Sequence, residues 1–536
     1  MDCQKPIPRQ FFTLSDSTEL LILSMPVQFI NAEEACRLVP DRASVGLIGG
    51  GGGLVEASLL HESMERRFLE TGKPEGLTCI HALGIGDRES RGMNRFAHEG
   101  MVRRVIGGHW VWSPRMQQLA KENKIEAYVL PGGVIMQLMR EVAAKRPGLI
   151  THVGLGTFVD PQKDGGRMNE AAQDPLVERI TIDGQQYLRY LPLPVDVALL
   201  KGSTADEDGN ISLEEEPANL DIYAMAAAAH NSGGKVIFQV RRKVPRGKLS
   251  ARSIRIPSAI VDVVVVDPDQ RQSYEIVYDP SISGEQRDDQ LSLEAPDFSI
   301  RLVIARRAKT ELREEDVINF GFGIPDQIAS MLAAEGTDER YYQTIEHGTY
   351  GGKLLTGTLF GYARNPSCMI DAPSQFDFYS GGGLDTAFLG FGQIDQEGNV
   401  NVSKLDGVTV GPGGFIDIAQ NARKVVFCGT FDAKGAKFET GHGQLSITRP
   451  GQIRKFVEKV DQITFSGKQA RFQNQQVLYV TERAVFRLQE KELELIEIAP
   501  GIDLQKDILD QMDFLPLIPE NLKTMDASIF MDDQNG

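Results

Sequence analysis

Cysteine, tryptophan and histidine are scarce in this chain, with five, two and eight among 536 residues. Cys3, Cys36, Cys79, Cys368 and Cys428 are scattered, form no CxxC pair and are odd in number, which argues against a disulfide framework and fits a reducing cytoplasm. The histidines make no HExxH or HxxxH pair, so no metal site is expected. Long apolar runs are missing too, so no membrane association is expected. The stretch 20–25 is too short to span a bilayer and sits behind acidic residues, too far in for a secretory signal. It reads as part of an N-terminal extension, 1–25, packed on the first domain. The apolar stretch 260–266, interrupted by Asp262, reads as a buried strand. Positive charge is in deficit: 57 Lys and Arg against 74 Asp and Glu leave a net charge of −17. That balance excludes a general nucleic-acid binder but not a local anion site built from backbone N–H groups.

What is present is an ordinary globular balance, 41% hydrophobic and 24% charged, in a chain long enough for two or more domains. Residues 31–40 predict a short helix with Asn31 as N-cap. Then SVGLIGGGGGLVEASLLHESMERRFLETG gives a strand, a five-glycine loop and a long helix. It matches neither the dinucleotide fingerprint nor the P-loop. The loop suits either a ligand oxygen near backbone N–H groups or close strand–helix packing. A polar loop region follows, carrying His81, Asp87, Arg88, Arg91, Asn94, His98, Glu99 and His109, a set able to line a cleft. Further strand–glycine–helix units place Gly132 and Gly133, then Gly321 to Gly323 with Pro325 at a helix start, then Gly411, Gly413 and Gly414, at turns. Strands alternating with helices indicate an α/β fold with largely parallel sheets. Residues 477–514 read as a hairpin followed by a helix from about Leu504.

The chain also repeats itself. VDVALLKGSTADEDGNIS at 195–212 aligns with LDTAFLGFGQIDQEGNVN at 384–401, an offset of 189 that also pairs GKVIF at 234–238 with RKVVF at 423–427. More weakly, 45–51 resembles 317–323. Two related open α/β domains are therefore expected, 26–273 and 297–536, joined by a polar linker at 274–296. Within the second half, YYQTIEHGTYGG at 341–352 ends a strand pattern with one carboxylate, Glu346, and a glycine loop. A carboxylate there can act as a covalent nucleophile, with backbone N–H groups near the reacting oxygen. The same pattern also describes a plain strand-to-loop turn.

The segments GIGDRESRGMNRFAHEGMVRRVIGGHW, THVGLGTFVDP, TIEHGTYGG, SQFDFYSGGGLDTAFL, GPGGFIDIAQNA and YVTERAVF resolve that ambiguity. Together with EIAPGIDLQKDIL they resemble the family I CoA-transferases, in the single-chain acetate/propionate/acetoacetyl-CoA branch, from about residue 26 to 532. The resemblance implies fused halves equivalent to separate α and β subunits, with the active site between them. It implies that Glu346 is the nucleophile and carries a glutamyl-CoA thioester in a ping-pong exchange between acyl-CoA and short-chain carboxylates. CoA-binding turns fall on Gly321, Phe322, Gly323, Ile324 and Pro325 and on Gly411, Gly413 and Gly414. Coenzyme A would be a substrate, with no tightly bound cofactor, and the protein a cytoplasmic homo-oligomer, a homotetramer or other. Relatives carry Pro-Gln-Gly where this chain has Leu130-Pro131-Gly132-Gly133, so the amide implied for the oxyanion is absent. Gly50, Gly51, Gly132 and Gly133 are the loop positions left to support it. His347 is expected to hydrogen-bond within its loop; Lys353 either draws an anionic substrate group or is solvated. Water attacking the same intermediate would make an acyl-CoA hydrolase, and a degenerate acyl-CoA-binding paralogue is the third reading.

Overall fold

Runs of β-branched residues form strands buried on both faces, as a parallel sheet requires. The strand Val197–Asp206 is buried along its whole length. In the computed structural model, which describes residues 27–291 and 294–532, such strands assemble into two ten-stranded sheets, one per half. The expected extension 1–25 lies outside the described residues.

The spine of the first sheet runs Gln28–Phe29, Val263–Val266, Lys235–Val244, Val197–Asp206, Ser44–Leu47, Leu77–His81, Val102–Gly107 and Glu126–Tyr128, every pairing parallel. The second sheet centres on parallel strands in the order Tyr342–Ile345, Val317–Phe320, Thr386–Gly390, Lys424–Cys428 and Gln476–Val480.

The repeat is visible in this topology. Val197–Asp206 and Lys235–Val244 are neighbours in one sheet, and their sequence equivalents Thr386–Gly390 and Lys424–Cys428 are neighbours in the other. Beside them stand Ser44–Leu47 and Val317–Phe320, the weaker sequence match. The shared aspartates do one job in both halves. Asp196 Oδ2 accepts from the Ser44 N–H at 2.8 Å, and Asp385 Oδ2 from the Val317 N–H at 3.0 Å, each tying a strand to the start of its neighbour. The Asp206–Asn210 and Asp395–Asn399 turns are also alike, the Asn N–H donating to the Asp carboxylate at 3.0 Å in each.

Local expectations meet the structure unevenly. Asn31 caps the helix Ala32–Arg37 in a full capping box with Glu34, worth about 1 kcal/mol. At the C-terminus, Gln476–Val480, Ala484–Leu488 and Leu493–Ile498 form an antiparallel meander rather than a lone hairpin. The helix expected from Leu504 is only two short helical turns, ending at Gln511.

The halves meet backbone to backbone. The Gly413 N–H donates to the Gly108 carbonyl and the Gly132 N–H to the Gly413 carbonyl, both at 2.8 Å, and the Trp110 N–H reaches the Val410 carbonyl at 2.8 Å. Arg140 and Gln137 add hydrogen bonds to Asp377 across the same boundary. One continuous apolar core runs through both halves.

Candidate active site

Loops that follow the C-terminal ends of parallel strands converge where α/β proteins bind ligands. Here such loops from both sheets line one cavity of about 400 Å³. The first half contributes Gly50, Leu83 and Gly84, and then His109, Val111 and Trp112; the second contributes Gly321, Phe322, Glu346, His347 and the turn 411–414. The rest of the lining is largely apolar, with Phe360, Leu389, Phe391, Val402 and Leu405.

Glu346 follows the strand Tyr342–Ile345 directly and is half-buried. It is the single carboxylate among the residues lining the cavity, and Arg88 is the single cation. The Asn319 amide stands 3.5 Å from its Oε2, a long contact that leaves the carboxylate loosely held. A methyl group placed on Gly414 would touch Glu346 Cγ at 3.5 Å, so the start of the helix Phe415–Asn421 lies against the carboxylate. The Gly414 N–H has no acceptor among the described residues.

His347 is buried, and its Nδ1 lies 3.1 Å from the Gly361 carbonyl, the loop hydrogen bond expected of it. Burial pushes its pKa down, partly offset by Glu346 beside it. Lys353 pairs with both oxygens of the buried Asp338 at 2.6 Å and does not line the cavity. Its charge is met by that carboxylate while its side chain stays partly exposed.

The glycine positions divide. Gly50, Gly321, Gly411, Gly413 and Gly414 line the cavity, as does Phe322. Gly51 lies under Trp112: at φ +89° its missing side chain leaves room for the indole, whose Cε2 would be 2.4 Å from a Cβ there. Gly323 at φ +101° precedes the helix Ile324–Ala334 and donates its N–H to the Asp326 carboxylate at 3.0 Å, while Ile324 and Pro325 stand in the first turn outside the cavity lining. Gly132 and Gly133 begin the helix Gly132–Ala143, and both N–H groups are committed across the interface, to the Gly413 carbonyl and to Asp417 Oδ2 at 3.2 Å. Both N–H groups are thus engaged in the join between the halves. A Cβ on Gly132 would stand 3.0 Å from the Ala82 carbonyl and 3.1 Å from Gly413 C, so a larger side chain has little room here.

Of the polar loop set, Arg88 and His109 reach the cavity. Asp87 shapes a turn by accepting from three backbone N–H groups, and His98 pairs with Glu65. His81 hydrogen-bonds the Leu83 carbonyl at 2.7 Å. Sequence reasoning missed Trp112 and Asp417. A signal for the first was available, since both tryptophans of the chain fall in one glycine-flanked loop, at 110 and 112.

Asp417 is fully buried behind the site; its Oδ1 has no hydrogen-bond partner, and burial, reinforced by the nearby Glu346 charge, pushes its carboxyl up to about 8. Burial also raises Glu56 and Asp221 to about 7. Burial holds His61, His81 and His109 neutral, at about 3, 4 and 4. These two sets act on stability in opposite directions. The histidines bind protons in the unfolded chain first, so stability falls as pH drops below about 6.5. The carboxyls hold protons in the folded state that the unfolded chain has released, so stability falls as pH rises from about 4 to each folded value. Between pH 7 and 8 Asp417 is the largest contributor of the set. Asp417→Asn keeps an acceptor for the Gly133 N–H but does not titrate. It is expected to flatten the decline in unfolding free energy across that interval, by up to about 1.4 kcal/mol per pH unit. Denaturant titrations of both proteins at pH 7 and pH 8 check this.

Two repeated α/β halves thus close on one apolar, glycine-walled cavity in which, among the described residues, Glu346 is the single carboxylate. A family model described as Coenzyme A transferase matches residues 29–267. The chain is 44% identical over 508 residues to acetate CoA-transferase YdiF of Escherichia coli (strain K12), covering 94% of this chain and 96% of that protein. It is also 44% identical over 518 residues to caffeate CoA-transferase of Acetobacterium woodii, covering 95% and 98%. The crystal structure of acyl-CoA transferase YdiF from E. coli O157:H7 as a thioester complex with CoA matches with a TM-score of 0.89 at 43% identity, over 95% of this chain and 96% of that one. The chain belongs to the family I coenzyme A transferases.

Proposed function

We propose that this enzyme moves CoA between acyl-CoA and free carboxylic acids through a thioester on Glu346. The observation that carries the reading is that, among the described residues, Glu346 alone offers a carboxylate to the cavity. The carboxylate attacks the thioester carbonyl of the donor, and CoA thiolate leaves as a mixed anhydride forms. The thiolate then attacks the glutamyl carbonyl, releasing the first acid and leaving glutamyl-CoA. The acceptor carboxylate attacks that thioester and expels thiolate, which takes the new acyl group and restores Glu346. The thioester bond energy is conserved throughout.

Each tetrahedral intermediate places an oxyanion beside Glu346. We assign it to the Gly414 N–H, which has no acceptor among the described residues and lies beside Glu346 in a cavity whose apolar walls would strengthen such a contact. The turns at 321–325 and 411–414 are assigned to CoA, whose distant adenosine end supplies binding energy away from the reacting carbon. Acetate and caffeate, the acids in the names of the two relatives, bracket the panel of acids to be tested.

The test is to supply each acyl-CoA of such a panel alone and then with a second acid. Beyond the one equivalent that loads Glu346, CoA is expected to move only when the acid is added, with parallel double-reciprocal plots. Continued acyl-CoA loss without an acceptor would instead make the enzyme a hydrolase.

A further inference from the structure

Among the described residues, Arg88 is the one charge lining the cavity that the reaction sequence above does not use. Its backbone sits at φ +69°, a conformation that non-glycine residues avoid and that persists where surrounding structure enforces it. The enforcement is visible. Asp87 Oδ1 accepts from the N–H groups of Glu89, Ser90 and Arg91 at 2.9, 2.7 and 2.9 Å, and the Arg88 N–H donates to the Trp112 carbonyl at 3.0 Å. Asn94 holds the same carbonyl at 3.0 Å.

The side chain so presented lies over aromatic faces from both halves, with Cζ 4.5 Å from the Trp112 ring centroid and 5.4 Å from that of Phe322. Those contacts favour the cation but leave the in-plane N–H groups of the guanidinium free. The guanidinium forms no hydrogen bond or ion pair with any described residue. Nearby His109 is held neutral, down to about 4, by burial and by the Arg88 charge itself.

We propose that Arg88 is the specificity residue that receives the free carboxylate of the acid substrate, the acceptor on its way in and the released acid on its way out. The inference rests on the Glu346 mechanism and follows from its charge balance. In the resting enzyme the Glu346 carboxylate and the Arg88 guanidinium cancel, and the cavity takes in the uncharged acyl thioester. Once glutamyl-CoA has formed, the carboxylate charge is gone and Arg88 alone remains. The cavity is then positive at the stage when an anionic acid must enter an apolar space. A carboxylate left unpaired there is strongly disfavoured. The guanidinium also offsets, locally, the repulsion that a chain of net charge −17 exerts on anions.

The experiment compares the parent enzyme with Arg88→Gln and Arg88→Lys, varying acyl-CoA and acceptor acid separately. Arg88→Gln is expected to raise the KM for the acid by about 10- to 100-fold, the worth of a hydrogen bond to a charged group. Its KM for acyl-CoA should stay within about twofold of the parent, since the uncharged thioester does not need the cation. Arg88→Lys, which keeps the charge, should recover part of the loss, and added salt should depress the acid's kcat/KM in the parent more than in Arg88→Gln. An equal or larger rise in the KM for acyl-CoA would overturn the proposal and assign the cation to the CoA phosphates, and so would an unchanged KM for the acid. A parent enzyme that forms no adduct would refute the Glu346 mechanism itself, an outcome distinct from either.

Discussion

Glu346→Ala is expected to lose CoA transfer by roughly 10⁴-fold or more while unfolding at the temperature of the parent. Removing a covalent nucleophile takes away the route rather than one stabilising contact, so its effect exceeds that of any supporting group. Stability should hold because the carboxylate carries little of the fold. It is half-buried, and its one side-chain neighbour within hydrogen-bonding range is Asn319 at 3.5 Å. Steady-state transfer with a preferred acid pair, alongside a thermal melt, reads both quantities. Glu346→Gln is the less decisive variant, because deamidation can regenerate the nucleophile, and its mass must be checked before its activity counts.

Gly411→Ala carries the second large expected effect. Gly411 sits at φ +71° with the Gly108 carbonyl oxygen of the other half only 2.6 Å from where a Cβ would stand, and His109 Cα 3.0 Å away. Both obstacles belong to backbone and cannot rotate aside. An alanine must therefore push the turn 411–414 off the first half, where Gly413 bonds Gly108 and Gly132, and move Gly414 relative to Glu346. A displacement of about 1 Å at a reacting centre typically costs about 100-fold in rate, and that loss in kcat is the expected result. Gly407→Ala is the matched control. It has nearly the same backbone angle, φ +73°, and nothing within 4 Å of its Cβ position. It should show the backbone strain of about 1–2 kcal/mol in its unfolding free energy with kcat little changed.

The parts legible in the sequence are those whose physics is local or repeated. The paired aspartates at 196 and 385 could be read as a repeat because each makes the same short hydrogen bond to the start of a neighbouring strand. The strand end and glycine loop of Glu346 lie in one continuous segment, but that pattern describes a plain turn equally well, and the role expected of Glu346 comes from the family resemblance. Arg88 could be read only as one of a polar loop set able to line a cleft, not by the neighbours it acquires. Arg88 and Trp112 become neighbours through a turn at Asp87 and a backbone hydrogen bond, and Phe322 joins them from the far half. Glycine count alone misleads in the same way. Gly132 and Gly133 look like donors awaiting a ligand until the second half supplies Gly413 and Asp417 as their acceptors. Lys353 likewise finds Asp338, a partner that spacing in the sequence does not announce.

The most direct test of the account is peptide mass spectrometry of the enzyme treated with acyl-CoA and then with borohydride. A glutamyl-CoA thioester is reducible and a free carboxylate is not, so the predicted result is a reduced side chain at position 346, dependent on acyl-CoA and absent from Glu346→Ala. Reduction at another carboxylate, or undiminished transfer by Glu346→Ala, would contradict it.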